Sequence, residues 1–522
     1  MRLTPLWPEL RRRLIPGAGF AAVAVFAVLA GRFWHPYYGF TKFVQLDEAN
    51  AKSGIHEIRD HPVYAYPATN SYDGAAYVQI AFHPLLDSPE LQNGVGNVPY
   101  RARRILGSAL AWIFAAGSPS RIAGTYAALN LGVWLALAYL LWRVLPVADA
   151  RSWFAWAGVL FSAGALHSVR LALTDLLAAA LLTAAIALGE RGRIRGAVGA
   201  LAAAGLARET ALGAVAGLWR GPWDNARAWT RNLGVAVAVA LPLAAWMSYI
   251  RWRAGPADQG FGNFAWPLAG WIEKWPAMLA EYRQHPNFRW LTITTLLATI
   301  GLTVQAVFLL RRRRGENAWW RAGIASVALM AIVGTSVWEG HPGAVTRVVL
   351  PLGLAFSVLA VREHAGWAWL AGGGLTVFSG VLALWQVPVD PRELASGHYT
   401  HGVFVARVDS GWFGVEHLRR NAWAWTGDRG DLVIETAPRG SLPMLVRLKL
   451  GAMSPREVEV RAGATVLWHG IVNEKPAWIE IPSVPRERGR IELSIVSSVP
   501  PVRESEAPIA RALGFAIHGV QL

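Results

Sequence analysis

The chain has 522 residues, 54% of them hydrophobic and only 16% charged, which is too apolar for a soluble protein of this size. A net charge of +16 would suggest a nucleic-acid surface in a soluble chain. Here the arginine clusters punctuate apolar runs, so membrane topology accounts for them and no nucleic-acid partner is expected. The absence of cysteine excludes thiol catalysis, disulfides and zinc–thiolate sites, and 27 tryptophans suit a chain that meets bilayer interfaces.

Arg11-Arg12-Arg13 precede an uncharged run from Leu14 to Gly31, which is longer than a usual signal core and reads as an uncleaved anchor entering from the basic, cytoplasmic side. Residues from about 34 to 120 then begin outside. Ile105 to Gly117 is too short to cross and is expected to lie flat at the interface. Tyr126 to Leu141 runs inward to Arg143 and Arg151, Trp153 to Leu166 runs out, and Leu176 to Leu188 returns to Arg191, Arg193 and Arg195. Ala197 to Ala207 and Thr210 to Trp219 form a short helical pair with Arg208-Glu209 at its outer tip and Arg220, Arg227 and Arg231 behind it. Leu233 to Ile250 runs out, and Leu291 to Leu310 returns to Arg311-Arg312-Arg313-Arg314. Residues 318 to 338, 343 to 361 and 367 to 387 bring the expectation to about eleven spans. Arg251 and Arg253 fall on the outer side, against the positive-inside trend, through snorkelling or phosphate contact.

An odd count of spans places the tail outside, and its pattern changes. Val446, Leu448 and Leu450 alternate with Arg447 and Lys449, and Val458 and Val460 with Glu457, Glu459 and Arg461. Ile479 and Ile481 flank Glu480, and Ile491, Leu493 and Ile495 flank Glu492 and Ser494. Period-two runs broken by Gly and Pro predict antiparallel strands with one wet face, hence a β-sandwich over residues 391–522 behind a helical membrane domain over 1–390. The tail tryptophans Trp412, Trp423, Trp425, Trp468 and Trp478 suit sugar stacking, although core packing is the commoner fate of a strand tryptophan.

This topology gathers ionisable residues from distant segments on the outer face: Asp73, Arg101, Arg103, Arg104, His167, Arg170, Asp175, Arg208, Glu209, Glu339, His341 and Arg347. An arginine cluster holds phosphate through paired donors, and a nearby carboxylate takes the proton from an attacking hydroxyl. Bland roles compete. Asp73 and Asp175 both precede apolar helical stretches and suit N-caps, Arg208-Glu209 suits a pair closing a tight hairpin, and Arg101, Arg103 and Arg104 suit headgroup anchors. His83 with Asp87 and Glu339 with His341 are the nearest approaches to a metal set. No spacing in the chain is diagnostic, so no cofactor is expected and a divalent metal is not indicated.

Five segments together resemble the C-type (GT-C) glycosyltransferases, integral membrane enzymes that use polyprenyl-phosphate sugars. They are Tyr72-Asp73-Gly74 on the first outer loop, Tyr100-Arg101-Ala102-Arg103-Arg104-Ile105-Leu106 before a short helix, and Leu173-Thr174-Asp175-Leu176-Leu177 at a span start. Leu206-Ala207-Arg208-Glu209-Thr210 at a hairpin tip and Thr346-Arg347 with Pro351 complete the set, which runs from the anchor to about residue 387. The tail, with Gly411-Trp412-Phe413-Gly414, Glu416 and Arg511-Ala512-Leu513-Gly514, is similar to jelly-roll modules appended to such enzymes. The resemblance implies an inverting transfer with Asp73 as general base and with Arg208 and Arg347 on the donor phosphate. Tyr72, Arg103, Arg104, His167, Arg170, Asp175, Glu209 and Glu339 complete the expected substrate site. The chain departs from the pattern in the lone acid at Asp73, unlike the paired acids of some relatives, and in Ala422-Trp423-Ala424-Trp425-Thr426, where an arginine is expected before the last tryptophan.

The expectation is therefore a multi-pass enzyme of a bacterial inner membrane, with a polyprenyl-phosphate sugar donor, a glycan or lipid-linked acceptor, and membrane lipids as its partners. Two rivals stand beside it. A transporter or flippase for lipid-linked sugars would place its charges at mid-membrane on broken helices. A glycan-binding assembly scaffold would lack a cleft beside Asp73.

Overall fold

The computed structural model describes residues 6–67, 69–219, 221, 226–256, 261–312, 315–418, 421–504 and 510–522. Arg220, Arg313 and Arg314, assigned above to the inner face, lie outside them. The chain divides into two compact units. One comprises residues 1–34 and 40–387, and the other residues 35–39 and 388–522.

The first unit is helical, but the expected eleven or so spans do not appear as such. Among the described residues four helical stretches are long and apolar enough to cross a membrane: Pro119–Val144, Ala226–Ala254, Pro286–Arg311 and Trp367–Trp385. Three of the other expected spans are cut short by local breaks. Trp153 to Leu166 divides at Ser162, whose hydroxyl caps a new helix, Ala163–Arg170. The 318–338 run stops at Ile332 and restarts at Thr335–Trp338, and the 343–361 run splits into Val345–Val348 and Leu350–Arg362. Ser162 supplies a capping hydroxyl, whereas Gly334 and Val349 hold the N-cap positions of the restarted helices without a side-chain cap, so an apolar run long enough to span need not be one helix. Ala226–Ala254 has only 17% of its apolar window buried, and Leu233, Val237 and Leu241 are exposed, a surface suited to lipid. Ile105–Phe114 is a ten-residue helix too short to cross, with Trp112, Ile113 and Phe114 exposed at its end.

Before the Asp73–Phe82 helix, Leu46–Asp47 pairs in parallel with Ala65–Tyr66. Asp47 caps the next helix by accepting from the Asn50 amide at 2.6 Å, and it also accepts from the Ser71 amide at 2.8 Å. The Asp47 amide donates to the Ser71 hydroxyl at 2.9 Å, so the chain entering Tyr72 and Asp73 is clamped from both sides.

The second unit is all-β and antiparallel. Its six-stranded sheet runs Thr465–Val472, Arg456–Ala462, Arg490–Val496, Arg429–Ala437, Gly402–Val408, Glu393–Tyr399. Its five-stranded sheet runs Ala477–Val484, Met444–Ala452, Phe515–Gln521, Asn421–Thr426, Trp412–Leu418. Val446, Leu448, Leu450, Val458, Val460 and Ile495 are buried as their alternation predicts. Trp412 belongs to the core, 5.9 Å edge-on to Phe515 with its indole N–H donating to the Asp431 carbonyl, whereas Trp478 is 43% exposed. His35, from the short segment that belongs to this unit, bonds Glu393 at 2.9 Å.

Candidate functional site

The site is built on the first turn of the Asp73–Phe82 helix. Tyr72 holds the N-cap position in extended backbone, so Asp73 is the first helical residue and not the cap. Its carboxylate is 32% exposed, favourably near the helix N-terminus, and faces Arg101 Nε at 3.5 Å. Gly74 explains how this turn fits: a Cβ there would stand 2.3 Å from the Leu171 carbonyl, so the helix start lies directly on the backbone that follows Arg170.

Behind Asp73 lies a connected set of buried charges. The Tyr72 hydroxyl accepts from Arg347 Nη2 at 2.6 Å, and Arg347 Nη1 reaches Asp175 Oδ2 at 3.3 Å. Asp175 Oδ1 pairs with Arg208, and the Asp175 side chain is only 1% exposed. The next residue, Glu209, receives both Nε (3.0 Å) and Nη2 (2.9 Å) of Arg104, whose Nη1 donates to the Tyr77 hydroxyl at 2.7 Å. The circuit therefore leaves from Tyr72 and returns to Tyr77 on the same helix, with Asp73 between them. Burial holds the Tyr77 phenol at about 12, against the pull of Arg104. Burial alone would lower the Arg104 pKa, but Tyr77 and Glu209 outweigh it and hold the guanidinium firmly charged.

Local backbone sets these pairings. Arg208 is extended (φ −155°, ψ 123°) between the Ile194–Ala207 helix and the 3-10 helix Glu209–Leu218. The two neighbouring side chains accordingly reach different partners and do not close the hairpin on each other. Thr174, not Asp175, holds the N-cap of Asp175–Glu190, which frees the Asp175 carboxylate for two arginines. Gly164 lets its helix approach the Thr346 carbonyl beside Arg347, where a Cβ would stand at 2.3 Å.

Tyr72 also lines a cavity of about 290 Å³. Its lining mixes polar Gln45, His167, Arg170 and His341 with apolar Leu291 and Leu382 from two of the long apolar helices. Arg170 lies between the rings of Phe33 (5.3 Å) and Tyr66 (5.7 Å), and His167 approaches Ser379 at 3.4 Å. Gln45 is strained at φ 50°, and its carbonyl accepts from the Tyr72 amide at 3.1 Å. Gln45, Thr294, Ser379 and Gln386 line this cavity without having been singled out from the sequence, because uncharged residues inside apolar runs carry no distinctive signal.

Two expected residues stand apart from both the circuit and the cavity. Arg103 stacks on Tyr100 at 4.4 Å and donates to the Tyr100 carbonyl. Glu339 is exposed after Thr335–Trp338; with Glu281 it acts on Lys274, whose pKa burial lowers to about 8. Neighbouring His341 bonds Glu281 at 2.6 Å and Thr295 at 3.1 Å, and His83 bonds Glu57 at 3.0 Å and Asp87 at 3.1 Å. Among the described residues no group of three or more His, Asp or Glu is arranged to hold a metal ion. Comparison with protein-family models, with curated proteins and with solved structures finds no match to this chain.

Proposed function

We propose that the chain is an inverting, polyprenyl-phosphate-sugar-dependent glycosyltransferase of the C-type arrangement. It would sit in a bacterial inner membrane with its N-terminus cytoplasmic, its site at the outer face and its jelly-roll-like C-terminal unit extracytoplasmic. The observation that carries this reading is the one-third-exposed Asp73 carboxylate, bracketed by a circuit of largely buried charges and near a cavity lined by both polar and apolar residues. Asp73 takes the proton from an acceptor hydroxyl as its oxygen attacks the anomeric carbon. The bond from that carbon to the phosphate oxygen breaks, the electron pair leaves with the polyprenyl phosphate, and configuration inverts. The cationic surroundings stabilise the departing phosphate, and the outer loop limits water.

Asp73, Asp175 and Glu209 each stand in the first turn of a helix and Arg208 joins two helices, so a transfer assay, and not helix placement, separates this reading from a transport site. The test is transfer from a radiolabelled polyprenyl-phosphate sugar in proteoliposomes. Asp73→Asn is expected to lower the rate by about a hundredfold or more. Wild-type transfer by that variant would remove Asp73 from the chemistry.

A further inference from the structure

We propose that the cavity beside Tyr72 binds a phosphate carried on a lipid chain, with the phosphate on Arg170 and not on Arg208 or Arg347. Naming that lipid as the sugar carrier rests on the glycosyltransferase reading above; the anion site does not.

The argument begins with which cations are committed. Arg208 and Arg347 share the carboxylate of Asp175, and Arg104 is held by both oxygens of Glu209. A phosphate that drew Arg208 and Arg347 away would leave Asp175 buried without a counter-charge. Arg170 is different. Among the described residues no carboxylate forms an ion pair with it; it hydrogen-bonds the Lys42 carbonyl at a long 3.4 Å and the Tyr66 hydroxyl. The rings of Phe33 and Tyr66 also hold its guanidinium, and these neutral partners do not use up its N–H donors, so this cavity-lining arginine keeps donors for an anion.

Tyr72 supplies a second donor. Its oxygen accepts from Arg347, so the phenolic hydrogen is left for a ligand and is polarised by the cation behind it. Both groups line the same cavity. The apolar lining selects the rest of the molecule. Leu291 belongs to Pro286–Arg311 and Leu382 and Ala383 to Trp367–Trp385, two of the four stretches among the described residues that are apolar enough to cross a membrane. A headgroup anion on Arg170 with an acyl or isoprenoid chain along these helices uses both kinds of lining, whereas a free phosphate uses only the polar residues.

The experiment titrates the full-length protein in detergent with farnesyl phosphate, and separately with inorganic phosphate, reading affinity by calorimetry. Farnesyl phosphate is expected to bind wild type and to weaken about tenfold or more in Arg170→Gln. Arg170→Lys should recover part of the loss, and Arg121→Gln, an exposed arginine elsewhere, should change nothing. An unchanged thermal midpoint shows that the variants fold, and Arg170→Lys keeps the charge should Arg170→Gln not fold. Wild-type affinity in both Arg170 variants would overturn the proposal, and inorganic phosphate binding as tightly as farnesyl phosphate would overturn its lipid part. Arg170-dependent binding without any sugar transfer would leave this site standing and sink only the glycosyltransferase reading. Asp73-dependent transfer with normal binding in Arg170→Gln would do the reverse.

Discussion

Asp73 and Asp175 are both first-turn aspartates, yet their surroundings assign them different work. Asp175 is closed in by two guanidiniums, and removing its charge leaves both unpaired in a buried place. Asp175→Asn is therefore expected to cost on the order of 3–5 kcal/mol and to lower the thermal midpoint in detergent by several degrees. Asp73 and Arg101 are each about a third exposed, and such a pair contributes roughly 0–1 kcal/mol. Asp73→Asn should leave the midpoint almost unmoved while transfer falls, and a midpoint drop equal to that of Asp175→Asn would make Asp73 structural. Asp47 adds a pH dependence. Burial pushes its carboxyl up, but hydrogen bonds from the Asn50 and Ser71 amides outweigh this and hold it below the usual carboxylate range. A lowered folded-state value contributes stability that is present above the unfolded value and is lost as pH falls through the folded one. Below about pH 4 the Ser71 and Tyr72 amides should exchange faster with solvent, and Asp47→Asn should remove that pH dependence.

At the scale of elements, close backbone contacts place the site. Gly164→Ala puts a methyl group 2.3 Å from the Thr346 carbonyl, which neither backbone can yield without moving Arg347. The expected cost is about 1–3 kcal/mol, read as a lower unfolding midpoint, together with weaker transfer; a variant equal to wild type in both would show that Arg347 tolerates the shift. These contacts also explain what the sequence could and could not reveal. The strands of the tail were legible because alternation of Val446, Leu448 and Leu450 with charged residues is a local signal. The charged members of the site were legible because ionisable residues between apolar runs are unusual. Their partners were not: Arg208 and Glu209 are adjacent in sequence but pair with Asp175 and Arg104, a choice made by one extended residue and by helix packing. Span counting failed for a similar reason, since hydropathy does not register helix breaks inside an apolar run, such as those at Ser162, Gly334 and Val349.

For the whole molecule, the decisive property is which side of the membrane each part faces. A lipid-linked donor presented at the outer leaflet can meet Asp73 only if the loop bearing it is exterior, and with four long apolar stretches among the described residues the sidedness also depends on helices too short to cross alone. The chain contains no cysteine, so single introduced thiols report position without background. Gln92 is exposed on the short helix Leu91–Val95 that follows the Asp73–Phe82 helix, Arg195 is exposed near the start of Ile194–Ala207, and Lys475 is exposed in the β unit. In intact spheroplasts, a membrane-impermeant maleimide should label Gln92→Cys and Lys475→Cys, and should reach Arg195→Cys only after permeabilisation. The proposed topology, with Arg191, Arg193 and Arg195 inside by the positive-inside trend, predicts that order. Labelling of Arg195→Cys in intact cells, with Gln92→Cys protected, would turn the Asp73 carboxylate to the cytoplasm, away from any substrate delivered to the exterior.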